Sequence, residues 1–147
     1  MSTRYDDSRA FNREWLTLVR LAHVHRPILL PRRVEYEDFI AMLRTADAPD
    51  WDGEEMTTVI ALDTDGKEIG RANFWHESIE SKYPLKPNEI SARGREEVWV
   101  HPLWRRIGLG SRMYDYAETV TGKRAVPSPR LSHEGLNFWR KRLGLGY

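Results

Sequence analysis

Apolar side chains recur at helical spacing near the start of the chain, at Phe11, Trp15, Leu18 and Val19, followed by Leu21 and Ala22. This predicts a helix within an N-terminal region, residues 8–45, that reads as mostly helical. Arg26-Pro27 should end that helix, because the proline ring disfavours helical geometry in the residue before it. Tyr36, Phe39, Ile40 and Leu43 stand at i, i+3, i+4 and i+7 and predict a second helix over Val34 to Leu43. A first strand fits Ile28-Leu29-Leu30, between two prolines, and fits Leu16 to Leu21 equally well.

The pattern then changes. Residues 46–53 carry loop chemistry. The β-branched run Thr57 to Leu62, the turn residues Asp63-Thr64-Asp65-Gly66 and the segment Glu68 to Trp75 predict a β-hairpin. Residues 77–90, with Pro84 and Pro87, read as a loop. Glu96 to His101 reads as a third strand with Val98 and Val100 on one face. Pro102 to Leu109 is a loop ending in glycines. A helix follows from Ser111 to Val120, with Met113, Ala117 and Val120 on its apolar face, and Thr121-Gly122 closes it. Arg124-Ala125-Val126 is a short strand cut off by Pro127. A last helix runs from Ser132 to Arg142 with Leu136, Trp139 and Leu143 as its stripe, and Gly144 ends it. Helices, hairpin, strand, helix, strand, helix describe an α/β layer with helices packed on a sheet.

The chain of 147 residues has room for one domain with one core. With 40% hydrophobic and 31% charged residues it falls in the globular class and outside the disordered one. No apolar run reaches the ~20 residues of a membrane span, and no apolar segment follows Met1 to Asp7 as a secretory signal would require. A cytoplasmic protein with no membrane partner is expected. The lack of cysteine excludes disulfides, thiolate metal ligands and a cysteine nucleophile. His23, His25, His76, His101 and His133 form no HExxH pattern, so no metal is expected. Charge is uneven. Residues 101–147 hold nine Lys/Arg against three Asp/Glu, whereas residues 1–100 hold fourteen against nineteen. Such a basic segment suits a solvated face, a nucleotide phosphate or a nucleic acid. Its basic residues surround a glycine loop and two helices. Nucleic-acid recognition would call for basic residues interleaved with exposed aromatics on a strand face, so it is the less favoured reading.

The informative run is Val98-Trp99-Val100-His101-Pro102-Leu103-Trp104-Arg105-Arg106-Ile107-Gly108-Leu109-Gly110-Ser111. A strand passes through a glycine loop into the start of a helix, whose first turn offers unpaired backbone N–H groups and the positive end of the dipole. Glycines let an anion approach that backbone closely. GxxxxGK[ST] is absent, which excludes a nucleotide P-loop, and position 113 is methionine where the dinucleotide fingerprint needs its third glycine.

This run resembles motif A of the GNAT acyltransferases, V-x-P-x-x-R-x-x-G-x-G, at Val100, Pro102, Arg105, Gly108 and Gly110. Ser132, Gly135, Phe138 and Trp139, followed by Lys141, Leu143 and Gly144, resemble the family's next element, N-x-x-A-x-x-F-Y with a basic residue and leucine-glycine. The resemblance covers residues 57–145. It implies a single domain with a helical N-terminal part over residues 1–50 and a GNAT-like mixed central sheet flanked by helices. On this resemblance the family's closing strands would be missing or reduced to Leu143–Tyr147, which would leave the acceptor side open or completed by a second subunit in a homodimer.

The resemblance further implies an acetyltransferase that moves an acetyl group from acetyl-CoA to an amine-bearing acceptor, small molecule or protein, in a ternary complex. A non-catalytic CoA-binding module is the alternative. The coenzyme's pyrophosphate would rest on the amides of Arg105, Arg106, Ile107, Gly108, Leu109 and Gly110, with Ser111 entering the helix. Its pantetheine arm would run beside Val98 and Val100, and the Val100 N–H would meet the thioester oxygen. Arg106, Arg112, Arg140 and Lys141 are candidates for the 3′-phosphate, and Trp104 for ligand contact from the loop. Glu96 and Glu97 are candidate bases. Being adjacent in a strand they would face opposite sides, so one at most would serve; His101 is a third candidate. Trp139 occupies the family's tyrosine slot, and indole cannot protonate a thiolate. Tyr114 and Ser132 are the candidate hydroxyls in its place, Ser132 also suiting a helix cap.

Overall fold

A computed structural model describes residues 9–24, 33–36, 39–46, 56–76, 85–92, 97–105, 108–129 and 132–145. Along the chain these form α1 (Arg9–Val24), β1 (Arg33–Tyr36), β2 (Phe39–Ala46), β3 (Met56–Leu62), β4 (Glu68–Trp75), β5 (Glu89–Ile90), β6 (Val98–Val100), a 3₁₀ turn (Pro102–Trp104), α2 (Leu109–Thr121), β7 (Arg124–Ala125) and α3 (His133–Arg142). The class is mixed α/β, as the pattern predicts. β1 to β4 and β6 form one antiparallel sheet in the order β1-β2-β3-β4-β6, and β5 and β7 form a separate parallel pair.

The hairpin β3–β4 forms as expected. Asp63 builds its turn, its carboxylate accepting from the amides of Asp65 and Lys67 at 2.9 Å each, the side-chain turn that aspartate favours. The helix expected over Val34 to Leu43 is instead the strand pair β1–β2. Ala41 and Leu43 are buried while Met42 and Arg44 are exposed, a period of two, and Leu43 sits opposite Ala61 of β3. Tyr36, Phe39, Ile40 and Leu43 satisfy a helical period only because the set is short. Pairing with an apolar neighbouring strand decides the outcome. Of the two places for a first strand, Leu16 to Leu21 is part of α1, and residues 28–30 lie outside the described residues, as do 47–53 of the expected 46–53 loop and 77–84 of the 77–90 loop. The end of that second loop is β5, which has too few residues to show a period.

Gly70, Ala72 and Phe74 of β4 and Val59 and Ala61 of β3 share one sheet face, which α2 covers. Phe74 meets Tyr114 edge-on at 4.8 Å between ring centroids. Tyr114 in turn packs on Phe138 and Trp139 of α3, so α2 links the sheet to α3. Each fully buried aliphatic or aromatic side chain in such a core contributes roughly 1.5–3 kcal/mol. α1 adds Leu18 and Ala22 to the same core and is fastened by Trp15 Nε1 to the carbonyl of Pro127 at 3.0 Å.

α3 begins and ends as its sequence directs. Ser132 caps it, its hydroxyl accepting from the Gly135 amide at 3.1 Å. Gly144, at φ 77°, completes a Schellman turn in which Leu145 N–H bonds Arg140 O at 2.8 Å and Gly144 N–H bonds Lys141 O at 3.1 Å. Residues 143–145, expected as the remnant of closing strands, are therefore the helix stop; residues 146 and 147 lie outside the described residues. Among the described residues no helix is long and apolar enough to cross a membrane.

Candidate functional site

Of the strand expected over Glu96 to His101, Val98–Val100 forms β6. Ser91 and Trp75 exchange backbone hydrogen bonds at 2.8 and 3.0 Å, and Val98 is opposite Ala72. Glu97 lies just before β6, outside its ladder with β4. Glu96 itself is outside the described residues.

β5 pairs with β7: Arg124 N–H bonds Asn88 O at 2.8 Å and Val126 N–H bonds Ile90 O at 2.9 Å. Among the described residues β6 pairs only with β4. His101 N–H bonds Ile69 O at 2.7 Å, which makes Gly70 and Val100 a non-hydrogen-bonded pair and Arg71 and Trp99 a hydrogen-bonded one. The N–H and C=O groups of Val98 and Val100 consequently point away from β4. The carbonyl of Val100 is taken by Arg105 Nε at 2.9 Å. Among the described residues β6 is therefore an edge strand of the five-stranded sheet, while β7 pairs with β5.

At the top of this edge His101 caps the 3₁₀ turn, its Nδ1 accepting from Leu103 N at 3.2 Å, an engagement that gives the ring a structural task. Trp104 is buried rather than presented at the loop. Gly108 then adopts φ 87°, ψ 7° as the residue preceding α2 and brings no side-chain cap. The helical bonds begin with Arg112 N–H on Gly108 O at 3.0 Å, so helix geometry leaves the amides of Leu109, Gly110 and Ser111 without intrahelical acceptors. No acidic side chain occupies that first turn, Arg105 is exposed beside it, and Arg112 is half-buried in the next turn. Leu109 contributes only its backbone, since its side chain is in the core. Arg106 and Ile107 lie outside the described residues. Arg140 is paired with Glu14 of α1, while Lys141 is exposed.

The remaining candidates are dispersed. Ser132 is the cap of α3. Tyr114 is enclosed by Phe74, Phe138 and Trp139, and burial pushes its phenol well above the ordinary tyrosine value, opposed by the Arg142 charge. Trp139 is buried. Glu97 Oε2 accepts from Asn73 Nδ2 at 2.8 Å, and Thr58 Oγ1 lies 2.8 Å from Asn73 Oδ1.

The sequence reading passed over a buried charge cluster behind the helix start. Arg142, its side chain 1% exposed, donates from Nη1 to Asp115 Oδ1 at 2.7 Å and from Nη2 to Glu118 Oε1 at 3.0 Å, and also meets Ser111. Glu118 Oε2 accepts the Ala125 amide of β7 at 3.0 Å. Burial raises the pKa of Glu118, against the Ala125 hydrogen bond and the charges of Arg142 and Arg124, which lower it; Asp115 adds a further upward push. The available signal was Ser111, Asp115 and Glu118 at i, i+4 and i+7, a polar stripe on a helix otherwise apolar on its inner side.

Chemically the arrangement offers three backbone amides for an anion, a strand edge for an extended ligand, and the Glu97 carboxylate held by Asn73. Among the described residues no cluster of three or more His, Cys, Asp or Glu is arranged to hold a metal ion. No protein-family model matches the chain, and no curated protein matches it in a sequence search.

Proposed function

We propose that the chain is an acetyl-CoA-dependent N-acetyltransferase. The observation that carries this reading is the coincidence of the Val100-x-Pro102-x-x-Arg105-x-x-Gly108-x-Gly110 spacing with an edge strand, β6, followed by a helix start that has no side-chain cap. In this reading the amides of residues 108–111, with Arg105, Arg106 and Ile107, hold the pyrophosphate. The outward groups of Val98 and Val100 align the pantetheine arm, and Val100 N–H receives the thioester oxygen. Glu97, or its neighbour Glu96, takes a proton from the attacking amine. The nitrogen lone pair bonds to the carbonyl carbon, and the carbon–sulfur pair leaves with sulfur as a thiolate. With Trp139 and Tyr114 both in the core, the thiolate departs without a tyrosine acid, which a thiol pKa near ~8.5 permits. The same two residues also favour a second reading, a CoA-binding module without turnover.

Calorimetry and thermal unfolding with acetyl-CoA test the first step. Binding to the folded state at about 100 times Kd should stabilise it by about 2.7 kcal/mol, and fragments lacking the pyrophosphate should do far less. No binding heat and no stabilisation at millimolar acetyl-CoA would end both readings. Thiol release on adding amines separates them.

A further inference from the structure

We propose that Asn73, oriented by Thr58, is the positioning residue that aims the Glu97 carboxylate, an inference that rests on the transferase reading above. Glu97 precedes β6 and lies outside the β4–β6 ladder, whose last pair on that side is Ala72 with Val98, so no ladder pair sets the direction of its side chain. A side-chain relay does so instead. Thr58 and Asn73 are direct cross-strand partners in the β3–β4 hairpin. The buried Thr58 hydroxyl donates to Asn73 Oδ1 at 2.8 Å, and Asn73 Nδ2 donates to Glu97 Oε2 at 2.8 Å.

The polarity of the relay is determined by its ends. Turned the other way, the amide would set Oδ1 against a carboxylate oxygen, acceptor against acceptor. Only one orientation bonds both neighbours, and the hydroxyl at the far end supports it. The carboxylate thus spends Oε2 on the relay, and Oε1 has no partner among the described residues. In the transfer step Oε1 takes the proton from the amine nitrogen while the nitrogen lone pair bonds to the thioester carbon and the thiolate leaves.

The test measures thiol release from acetyl-CoA, with spermidine and a lysine peptide as acceptors, in wild type, Asn73→Ala, Thr58→Val, Thr58→Ser, Glu97→Gln and the double variant Asn73→Ala/Glu97→Gln. Asn73→Ala should lower kcat on the order of tenfold to a hundredfold, the usual range for outer partners that orient a reacting group, with the KM for acetyl-CoA unchanged. Thr58→Val should lower kcat less and Thr58→Ser should restore it. In the Glu97→Gln background, Asn73→Ala should have no further effect. Equal losses in both backgrounds overturn the proposal by showing that Asn73 acts independently of Glu97. Full activity in Glu97→Gln overturns it too, while leaving acetyl transfer itself standing. Absence of turnover in the wild type sinks the transferase reading. The geometry is then decided by NMR of the unliganded protein. The Asn73 side-chain amide proton should be displaced downfield by the carboxylate and should return upfield in Glu97→Ala. An unmoved resonance overturns the relay itself.

Discussion

The guanidinium of Arg142, in the last turn of α3, donates from Nη1 to both the carbonyl oxygen of Ser111 at 2.9 Å and its hydroxyl at 2.7 Å. The end of one helix is thereby locked to the beginning of another, directly behind the amides that face the loop. The same guanidinium bridges two buried carboxylates, so removing it strands two charges. Arg142→Met should destabilise the fold by about 3–5 kcal/mol. Arg142→Lys should lose less, since it keeps the charge but not the fork. Urea unfolding measures both, and a loss below about 1 kcal/mol for Arg142→Met would mean that the cluster hardly contributes.

Glu118 gives this cluster a pH signature. Burial raises its folded-state pKa above that of the unfolded chain. Between the two values the native state binds more protons than the unfolded state, so its contribution to stability falls as pH rises through that window. The contribution is greatest below the unfolded value and levels off above the folded one. Glu118→Gln, which does not titrate, should remove this component. Unfolding free energies across pH 4–8 should therefore show a less negative slope in the variant just above the ordinary glutamate range. Parallel curves would mean that Glu118 has the same pKa folded and unfolded.

How far the sequence could be read depended on whether a feature was local. The hairpin was legible because Asp63 to Gly66 and the flanking β-branched residues specify it within twenty residues. α2, β7 and α3 were legible because periodicity, Ser132 and Gly144 mark their limits. β1–β2 was misread because Tyr36, Phe39, Ile40 and Leu43 are too few to separate two periods, and burial against β3 is a tertiary fact. The place of Glu97 was invisible for a different reason. It depends on the pairing of Val98 with Ala72, and no local signal states which strand Glu97 borders. The glycine loop could be located in advance, whereas the contact of Glu97 with Asn73 depended on that long-range pairing.

Tyr114 carries a prediction in the alkaline range. Burial raises its phenol pKa, so above about pH 10 the unfolded chain releases a proton that the native state retains. Stability from this group must then fall as pH rises. Tyr114→Phe should lose less stability than wild type between pH 9 and 11, measured as the change in Tm. If an acetyl transfer is found, its rate in Tyr114→Phe should match wild type at every pH from 6 to 9. A selective loss of turnover with retained acetyl-CoA affinity would restore the hydroxyl to a catalytic role.

His23 and Glu89 fasten α1 to β5. His23 Nε2 lies 2.6 Å from Glu89 Oε2, and Oε1 accepts the Lys86 amide at 2.8 Å. Glu89 is 4% exposed, so His23→Ala leaves one buried carboxylate oxygen without its partner. That costs about 1–3 kcal/mol. Hydrogen exchange should report the loss first in the amides of α1. Uniform acceleration over the whole chain would contradict this local account.

Gly108 decides whether the turn before α2 is a binding element or only a corner. Its φ of 87° is the reason for glycine, because a Cβ added there would meet nothing within 4 Å. The penalty for a side chain is conformational, about 1–2 kcal/mol for alanine in the left-handed region. Asparagine tolerates that region better. The two variants therefore separate space from backbone direction. Gly108→Asn should keep the turn, the stability and the orientation of the amides of residues 109–111. Gly108→Ala is driven toward negative φ, which swings those amides away from their common direction. Acetyl-CoA titrated at a temperature where both variants are folded should bind Gly108→Asn nearly as well as wild type, and Gly108→Ala at least tenfold more weakly. Gly110→Ala is the control, since its Cβ would sit 3.5 Å from Phe138, an ordinary contact, and the fold should be retained. Equal affinity in all three variants would place the coenzyme's phosphates elsewhere, however well the loop resembles motif A.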